Sequence, residues 1–558
     1  MSGLHRLTAG GRIDRESTLE FTFNGRRYSG HPGDTLASAL LANGITLVAR
    51  SFKYHRPRGI VGSGVEEPNA LVQLETGAIT VPDARATEVM LYDGLVARSV
   101  NAWPSVDLDF MAWTNLFARA MPAGFYYKTF MWPRRAWMKY EHLIRKSAGL
   151  GSAPELPDPD TYDKMNAHCD VLVAGGGPVG LAAAWAAGRA GARVILADEQ
   201  DEFGGGLLSV RDGTATSGRG QADAGATVEG GQGAGLAPAA WIAKMVAELR
   251  AMPDVRLLPR STVFGYQDQN YLTINERRTD HLPPAKRSGT RERVWRVRAK
   301  QVVLATGAIE RPLVFANNDR PGVMQASAVS TYLNRYAVRP ARRAVVFTNN
   351  DSAYRTALDL YAAGVAVAAV VDARVDPRGA LPERARAAGI NIINNGVVTD
   401  VAGVKRVSAV TVMTLTSDGR GVTGAKQVID CDLLAVSGGW SPTVHLHSQS
   451  GGKARFDEAR TCFVPGTSVQ AERSAGACNG SFGVGACLAE GFAAGIEAAR
   501  LAGYGQTGAS SAPASGGPSA AASGTGDALA DLAVDDFAEE PLLPLWLVPS
   551  SAPAGRGP

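Results

Sequence analysis

The 558-residue sequence predicts an α/β protein: a Rossmann core of the two-dinucleotide type, preceded by a small β-grasp domain. Three observations carry this. CDVLVAGGGPVGLAAAWAAGRAGARVILADEQ (Cys169 to Gln200) reads as strand, glycine turn, helix and second strand in one unit. AVVFTNNDSAYRTALDLYAAGVAVAAVVDAR, beginning at Ala344, repeats that order without the glycines. TLEFTFNGRRYSG, from Thr18, alternates apolar and polar residues around Asn24-Gly25, as a hairpin does.

Composition bounds the answer before any motif does. The length suits about three to four domains at about 150 residues each. A formal charge of +4 gives no electrostatic case for nucleic acid. The sequence has neither a charged-then-apolar leader nor an apolar run of about 18 residues, so a soluble, cytoplasmic protein away from membranes is expected. Cys169, Cys431, Cys462, Cys478 and Cys487 form no CxxC pair and no zinc spacing, so neither a disulfide nor a metal site is expected.

In chain order, residues 15–100 form the β-grasp domain. After the hairpin, Asp34 is placed to cap a helix TLASALLANG that stops at Asn43-Gly44. ALVQLE, EVMLYDG and LVARSV are expected as further strands. The arrangement resembles plant-type ferredoxins, whose loop after the helix carries the cluster cysteines; here nothing before Cys169 is cysteine, so a cluster-free version is expected. In that loop's place stand Arg50, Lys53, Arg56 and Arg58, with Phe52, Tyr54 and His55 and no acid. They are candidates to meet a phosphate or an acidic partner surface, and equally suit a solvated basic loop. Residues 101–165 connect the domains. Trp103, Trp113, Phe117, Phe125, Trp132 and their aromatic neighbours suggest packing between domains or subunits.

Residues 166–340 and 440–503 should form the first Rossmann domain, with strands at 170–174, 193–197, 255–258, 262–266, 295–297 and 301–305 and helices at 181–190 and 239–250. Gly175 permits the tight turn, Gly176 continues it, Gly177 lets backbone approach a pyrophosphate, and Gly180 lets helix and strand pack closely. The helix N-terminus adds unpaired N–H groups for the phosphates. Asp198 and Glu199, about 20 residues on, are placed for an adenosine ribose, which favours NAD or FAD over a 2′-phosphate. Gly205 lies in a second glycine turn, Glu202-Phe-Gly-Gly-Gly-Leu. Residues 212–237 read as a flexible glycine- and alanine-rich insertion. VVLATGAIERP, about 130 residues after the first glycine, is how glutathione-reductase-type proteins re-enter the first domain, which puts Thr306 and Gly307 near the cofactor.

Residues 341–439 should be a second, degenerate nucleotide-binding-like domain. Thr348-Asn-Asn-Asp-Ser-Ala353 replaces the glycine turn, so side chains fill the place of phosphate, and Asp351 is expected as a helix cap. SAGACNGSFGVGACLAEGFAAGIEAA, from Ser474, should return a helix N-terminus to the cofactor's middle. Residues 504–558 are a low-complexity tail. Its PLLPLWLVP run, from Pro541, should dock on this chain or on a partner.

SFKYHRPRGIVGSGVEEPNALV, VLVAGGGPVGLAAA with ADEQ, VLATGAIERP and AGACNGSFGVGACLAEGFAAG together resemble the alpha subunit of heterotetrameric sarcosine oxidases across residues 15–500. The resemblance implies an NAD-binding oxidoreductase subunit acting on the CH–NH bond of sarcosine, giving glycine, hydrogen peroxide and a one-carbon unit. It implies FAD and FMN on a beta subunit, small gamma and delta subunits, and Arg50, Lys53, Arg56 and Arg58 as candidates for the flavin-side interface. The aminomethyltransferase-like, folate-holding half of that family does not follow within these residues, so folate transfer by them is not expected. Two other readings are kept: a dehydrogenase or reductase subunit for opines or amines with FAD in this chain's fingerprint, and a non-catalytic scaffold with a structural dinucleotide. Catalytic residues stay unassigned.

Overall fold

The computed structural model describes residues 4–52, 54–114, 132–147, 151–211, 236–505, 532 and 540–549. The N-terminal hairpin pairs β1 (Leu19–Phe23) with β2 (Arg26–Gly30) across Asn24 and Gly25, both in the left-handed region at φ 51° and 77°. Helix α1 (Leu36–Ala42) follows, with every residue buried. Its cap is Thr35, not Asp34: Thr35 and Ser38 form a reciprocal capping box. Asp34 instead pairs with Arg6 at 2.6 Å and accepts the Ser38 hydroxyl at 2.6 Å.

Strands β3 (Leu71–Leu74), β4 (Val81–Arg85) and β5 (Leu95–Ser99) complete a sheet in the order β2-β1-β5-β3-β4, with β1 and β5 parallel. EVMLYDG is not a strand, contrary to expectation from its alternation. Its neighbourhood serves α1: the carbonyls of Ala86 and Val89 accept the N–H groups of Ala37 and Leu36, two donors a helix start leaves unpaired. The strand on that side is β4, masked in the sequence by Pro82 and by Asp83 at φ 54°.

The first Rossmann sheet is built on β6 (Thr161–Ala174), which leads through the glycine turn to α2 (Pro178–Arg189) and β7 (Val194–Ala197). After α3 (Pro238–Ala251) come β8 (Val255–Leu258), β9 (Ser261–Gln267), β10 (Tyr271–Arg277) and β11 (Thr290–Leu304). The order is β8-β7-β6-β11-β10-β9, with Glu472–Ser474 added parallel beside β11. The two short strands expected at 295–297 and 301–305 are one, β11, paired with β6 from Thr290↔Thr161 to Leu304↔Ala174. Its first half, TRERVWRVR, carries five charged residues in nine, so no apolar run announces it.

In the second domain β12 (Val323–Gln325), β13 (Arg343–Thr348), β14 (Ala366–Asp372), β15 (Ile392–Asn394) and β16 (Leu433–Ser437) form a parallel sheet ordered β12-β16-β13-β14-β15. Helix α4 (Ser352–Ala362) follows β13. Asp351 precedes it without capping it: its carboxylate pairs with Arg374 at 2.8 Å and accepts the Glu540 N–H at 2.9 Å. The PLLPLWLVP run docks on this chain, with Leu545 and Val548 buried in one core with Phe315, Phe347 and Val436. Residues 212–235 of the insertion expected at 212–237, and most of the tail, lie outside the described residues.

Helix α5 (Val484–Leu501) packs on α2 through glycines: a β-carbon on Gly491 would stand 2.6 Å from the Val179 carbonyl oxygen, and one on Gly495 2.2 Å from that of Ala183. Backbone therefore meets backbone beside the glycine turn. At the connecting segment Trp103 is 64% exposed, Trp113 57% and Trp132 83%, and Trp103 meets Phe110 at a tilt of 59° with ring centres 5.6 Å apart. Phe117, Phe125, Tyr126, Tyr127 and Phe130 lie outside the described residues. Among the described residues no helix is long and apolar enough to cross a membrane.

Candidate functional site

The glycine turn divides its tasks by geometry. Gly175 has φ +102°, and a β-carbon there would meet the Ala305 carbonyl oxygen at 2.3 Å. On Gly180 it would meet the Gly175 oxygen at 1.8 Å, and on Gly176 the Phe203 ring at 2.3 Å. These three are glycine because protein already fills the space. Gly177 is different: the nearest atom to an added β-carbon is the Gly205 Cα, 3.9 Å away. Gly205 has φ +51°, and a β-carbon on it would come within 2.9 Å of the Gly177 Cα. Two turns thus form one open cradle at the N-terminus of α2, whose first N–H groups and partial positive charge suit a pyrophosphate.

The acids stand at the end of β7. Asp198 accepts the Gly176 N–H at 2.5 Å and the Gln200 N–H at 2.8 Å, so it shapes the turn. Glu199 makes no side-chain hydrogen bond among the described residues. Burial, with Asp198, Glu88 and Glu66 nearby and Arg277 opposing them, pushes its carboxyl up to about 7. Thr306 and Gly307 follow β11 on the same side. The Thr306 hydroxyl donates to the Thr443 carbonyl at 2.8 Å, and Gly307, at φ +71°, has nothing within 4 Å of an added β-carbon. The structure therefore brings Gly175, Gly176, Gly177, Gly180, Asp198, Glu199, Gly205, Thr306 and Gly307 to one edge of one sheet. An arrangement of this kind has the geometry to take a dinucleotide.

Two contributors escape a reading by motif. Thr443 ties the returning chain to Thr306 and Gly307, its N–H donating to the Gly307 carbonyl at 3.0 Å. Glu310, three residues beyond Gly307 and 3% exposed, takes the N–H and hydroxyl of Ser327 at 2.8 and 2.7 Å. Burial pushes its carboxyl up to about 7. Its place in ERP gave no sign that it would be buried.

The basic loop lies elsewhere and is engaged within the chain. Arg56 donates to both carboxylate oxygens of Asp319, at 2.7 and 2.6 Å, and Arg58 to one of them. Arg50 donates to the carbonyls of Val106 and His55. Lys53 is outside the described residues. The five cysteines are all buried, and burial raises Cys169 and Cys431 to about 12. Among the described residues no three His, Cys, Asp or Glu side chains are grouped to hold a metal.

Comparison with known proteins adds two family matches. Residues 169–461 match the pyridine nucleotide-disulphide oxidoreductases, and residues 16–102 match a 2Fe-2S iron-sulfur cluster binding domain. The second span contains no cysteine, so its residues do not fit a cluster held by thiolates. The chain is similar to the sarcosine oxidase subunit alpha of Rhizobium meliloti (strain 1021), 46% identical over 88% of this chain and 46% of that protein. The same subunit of Corynebacterium sp. (strain P-1) is 42% identical over 88% of this chain and 44% of that protein. The chain thus spans less than half the length of these relatives. Among solved structures, L-proline dehydrogenase from P. horikoshii shares the fold at TM-score 0.57 and 18% identity, over 90% of this chain and 77% of that one.

Proposed function

The chain belongs to the pyridine nucleotide-disulphide oxidoreductase family, and from that premise we propose that it is the NAD-binding, alpha-type component of a sarcosine oxidase-like complex. The observation that carries the reading is the open cradle between Gly177 and Gly205, in a chain 46% identical to a sarcosine oxidase alpha subunit. The reaction is oxidative demethylation. Two electrons and two protons leave the methyl C–H and the N–H of sarcosine as the C=N bond of an imine forms, water hydrolyses the imine to glycine and a one-carbon unit, and oxygen takes the electrons and protons to become hydrogen peroxide. Flavins on a partner subunit, when bound, would supply that two-electron chemistry.

This chain's residues bind and orient. The N–H groups at Gly177 and the start of α2 would hold the pyrophosphate, Gly205 keeps the opposite wall free of side chain, and Glu199 would accept from the adenosine ribose. Asp198 fixes the turn that presents these groups. Thr306 and Gly307 would border the cofactor's middle. No side chain is assigned as acid, base or nucleophile.

The partner surface is proposed at the connecting segment, where exposed Trp103, Phe110 and Trp132 offer aromatic area of the kind subunit interfaces use. Arg50, Arg56 and Arg58 would stand beside such a surface through the guanidinium edges not taken by Asp319 and the backbone.

FAD in the same cradle is the second reading, because the acid after β7 accepts either unphosphorylated ribose. One measurement separates them: express the chain alone, denature it, and identify the released nucleotide by absorbance and mass. NAD without yellow colour supports the proposal. Bound FAD overturns it and favours a flavin-bearing amine or opine dehydrogenase component.

A further inference from the structure

The second domain has a crevice where a second dinucleotide would lie, and the chain's own residues 540–549 lie in it. From β13 the sheet runs outward to β14 and β15 on one side and to β16 and β12 on the other, so the strand order reverses between β13 and β16. Ligands of open parallel sheets bind outside the carboxyl ends of the strands at such a switch point. Here those ends are Thr348-Asn349-Asn350 and Ser437-Gly438.

Two residues of the turn, Asn349 and Asp351, are matched to this peptide. The Asn349 side-chain amide donates to the carbonyls of Leu543 and Leu545 at 2.9 and 3.1 Å, and the Asn349 carbonyl accepts the Leu543 N–H at 3.0 Å. Asp351 takes the Glu540 N–H at 2.9 Å. The Trp546 indole donates to the Gly438 carbonyl at 3.0 Å, and its ring lies under the Arg311 guanidinium at 4.8 Å. Val314 donates to the Trp546 carbonyl at 2.7 Å and accepts the Val548 N–H at 2.9 Å, as a short parallel pairing. Meanwhile the Asn350 amide reaches across to Ser437, closing the floor between the two strand ends.

This chemistry differs in kind from the first cradle. There a glycine leaves space and helix N–H groups face it. In the second crevice Asn349, Asn350 and Asp351 are each at most 3% exposed. An amide that donates to carbonyls and a carboxylate that accepts an N–H recognise main chain, and the carboxylate repels phosphate. Arg374, the cation placed to serve a phosphate, is held by Asp372 at 2.7 Å and Asp351 at 2.8 Å.

We propose that residues 540–549 are the resident ligand of the second crevice, a peptide bound through its main chain in place of a dinucleotide, so that each chain takes one dinucleotide only. This does not rest on which nucleotide fills the first cradle. The test uses a chain ending at residue 539 and a synthetic peptide of sequence EPLLPLWLVP, followed by tryptophan fluorescence and calorimetry. The shortened chain should bind one equivalent of peptide, Asn349→Ala in it should weaken binding at least tenfold, and the full chain should bind none. Resident and added nucleotide together, NAD or FAD, should come to one equivalent in the full chain. A shortened chain that keeps its first-site nucleotide yet binds no peptide, or a full chain that takes two dinucleotides, overturns the proposal. If the shortened chain does not fold, hydrogen exchange on the full chain decides: Asn349→Ala should lower protection of the Leu543 and Val548 amides at least tenfold without changing that of β6, and unchanged protection overturns it.

Discussion

A methyl group on Gly205 would stand 2.9 Å from the Gly177 Cα, whereas one on Gly177 would point into the space between the turns. The two glycines are therefore unequal, and Gly180, whose β-carbon would sit 1.8 Å from the Gly175 oxygen, is a third case. Gly177→Ala should fold, with an apo melting temperature near the parent's, and lose nucleotide affinity at least tenfold, about 1.4 kcal/mol. Gly180→Ala should cost several kcal/mol, because backbone must move. Nucleotide content after denaturation, beside apo melting curves, checks both. Equal loss of stability in the two variants would refute the division of roles.

Glu199 gives the site a pH dependence. With its carboxyl near 7, the anion that accepts best from a ribose hydroxyl is partly lost at and below neutrality. Nucleotide affinity should therefore rise between pH 6 and pH 8, and Glu199→Gln should flatten the curve. Titration of the apo protein across that window, monitored by calorimetry, is the check. A slope that survives in the variant would place the titrating group elsewhere.

Asp319 ties the N-terminal domain's basic loop to the segment that leads into β12, which the structure places in the second sheet although the sequence assigns it to the first domain. Burial alone would raise its carboxyl, yet Arg56 and Arg58 hold it below the ordinary carboxylate range. A depressed carboxylate contributes stability that is complete above its unfolded pKa and is lost as pH falls through the folded value. Asp319→Asn should thus lower stability at pH 7 by about 1–2 kcal/mol, the scale of charge-assisted hydrogen bonds partly open to water. The loss should shrink in acid, and nucleotide content should not change. Melting curves at pH 7 and pH 3.5 test it.

What the sequence made legible follows from which constraints are local. The first glycine turn could be read because Gly175, Gly180 and the run from Val171 to Ala174 are adjacent in the chain and each has one explanation. The loss of glycines at Asn349 could be read for the same reason. What filled the second crevice could not, since Leu543 and Asn349 are joined only by the fold. Arg56 and Arg58 looked free because their acid lies in another domain, and Asp351 looked like a cap because its true partners, Arg374 and Glu540, are remote. The first half of strand β11 was hidden by its charges, and Val89 looks like a strand residue although its carbonyl, with that of Ala86, takes the first N–H groups of α1.

Glu310 offers the sharpest stability test, because its carboxyl is buried, pushed up to about 7, and met by neutral donors alone, those of Ser327 and the Ser437 hydroxyl. A raised carboxylate acts in the opposite sense to Asp319. Below its ordinary value near 4.5 it is protonated in both states and costs nothing. Between 4.5 and 7 the folded chain holds a proton that the unfolded chain has released, so stability falls as pH rises and levels off above 7. The size follows from the shift, about 3 kcal/mol at about 1.4 kcal/mol for each pKa unit. Glu310→Gln keeps an acceptor for Ser327 and carries no charge. The variant should lose most of that slope and be more stable than the parent at pH 8 by about 1–3 kcal/mol, the remainder going to its amide donors. Urea unfolding of both proteins at pH 5, 6.5 and 8 measures this directly. Parallel curves would mean that Glu310 stays ionised in the fold, held by Ser327 more firmly than its burial opposes.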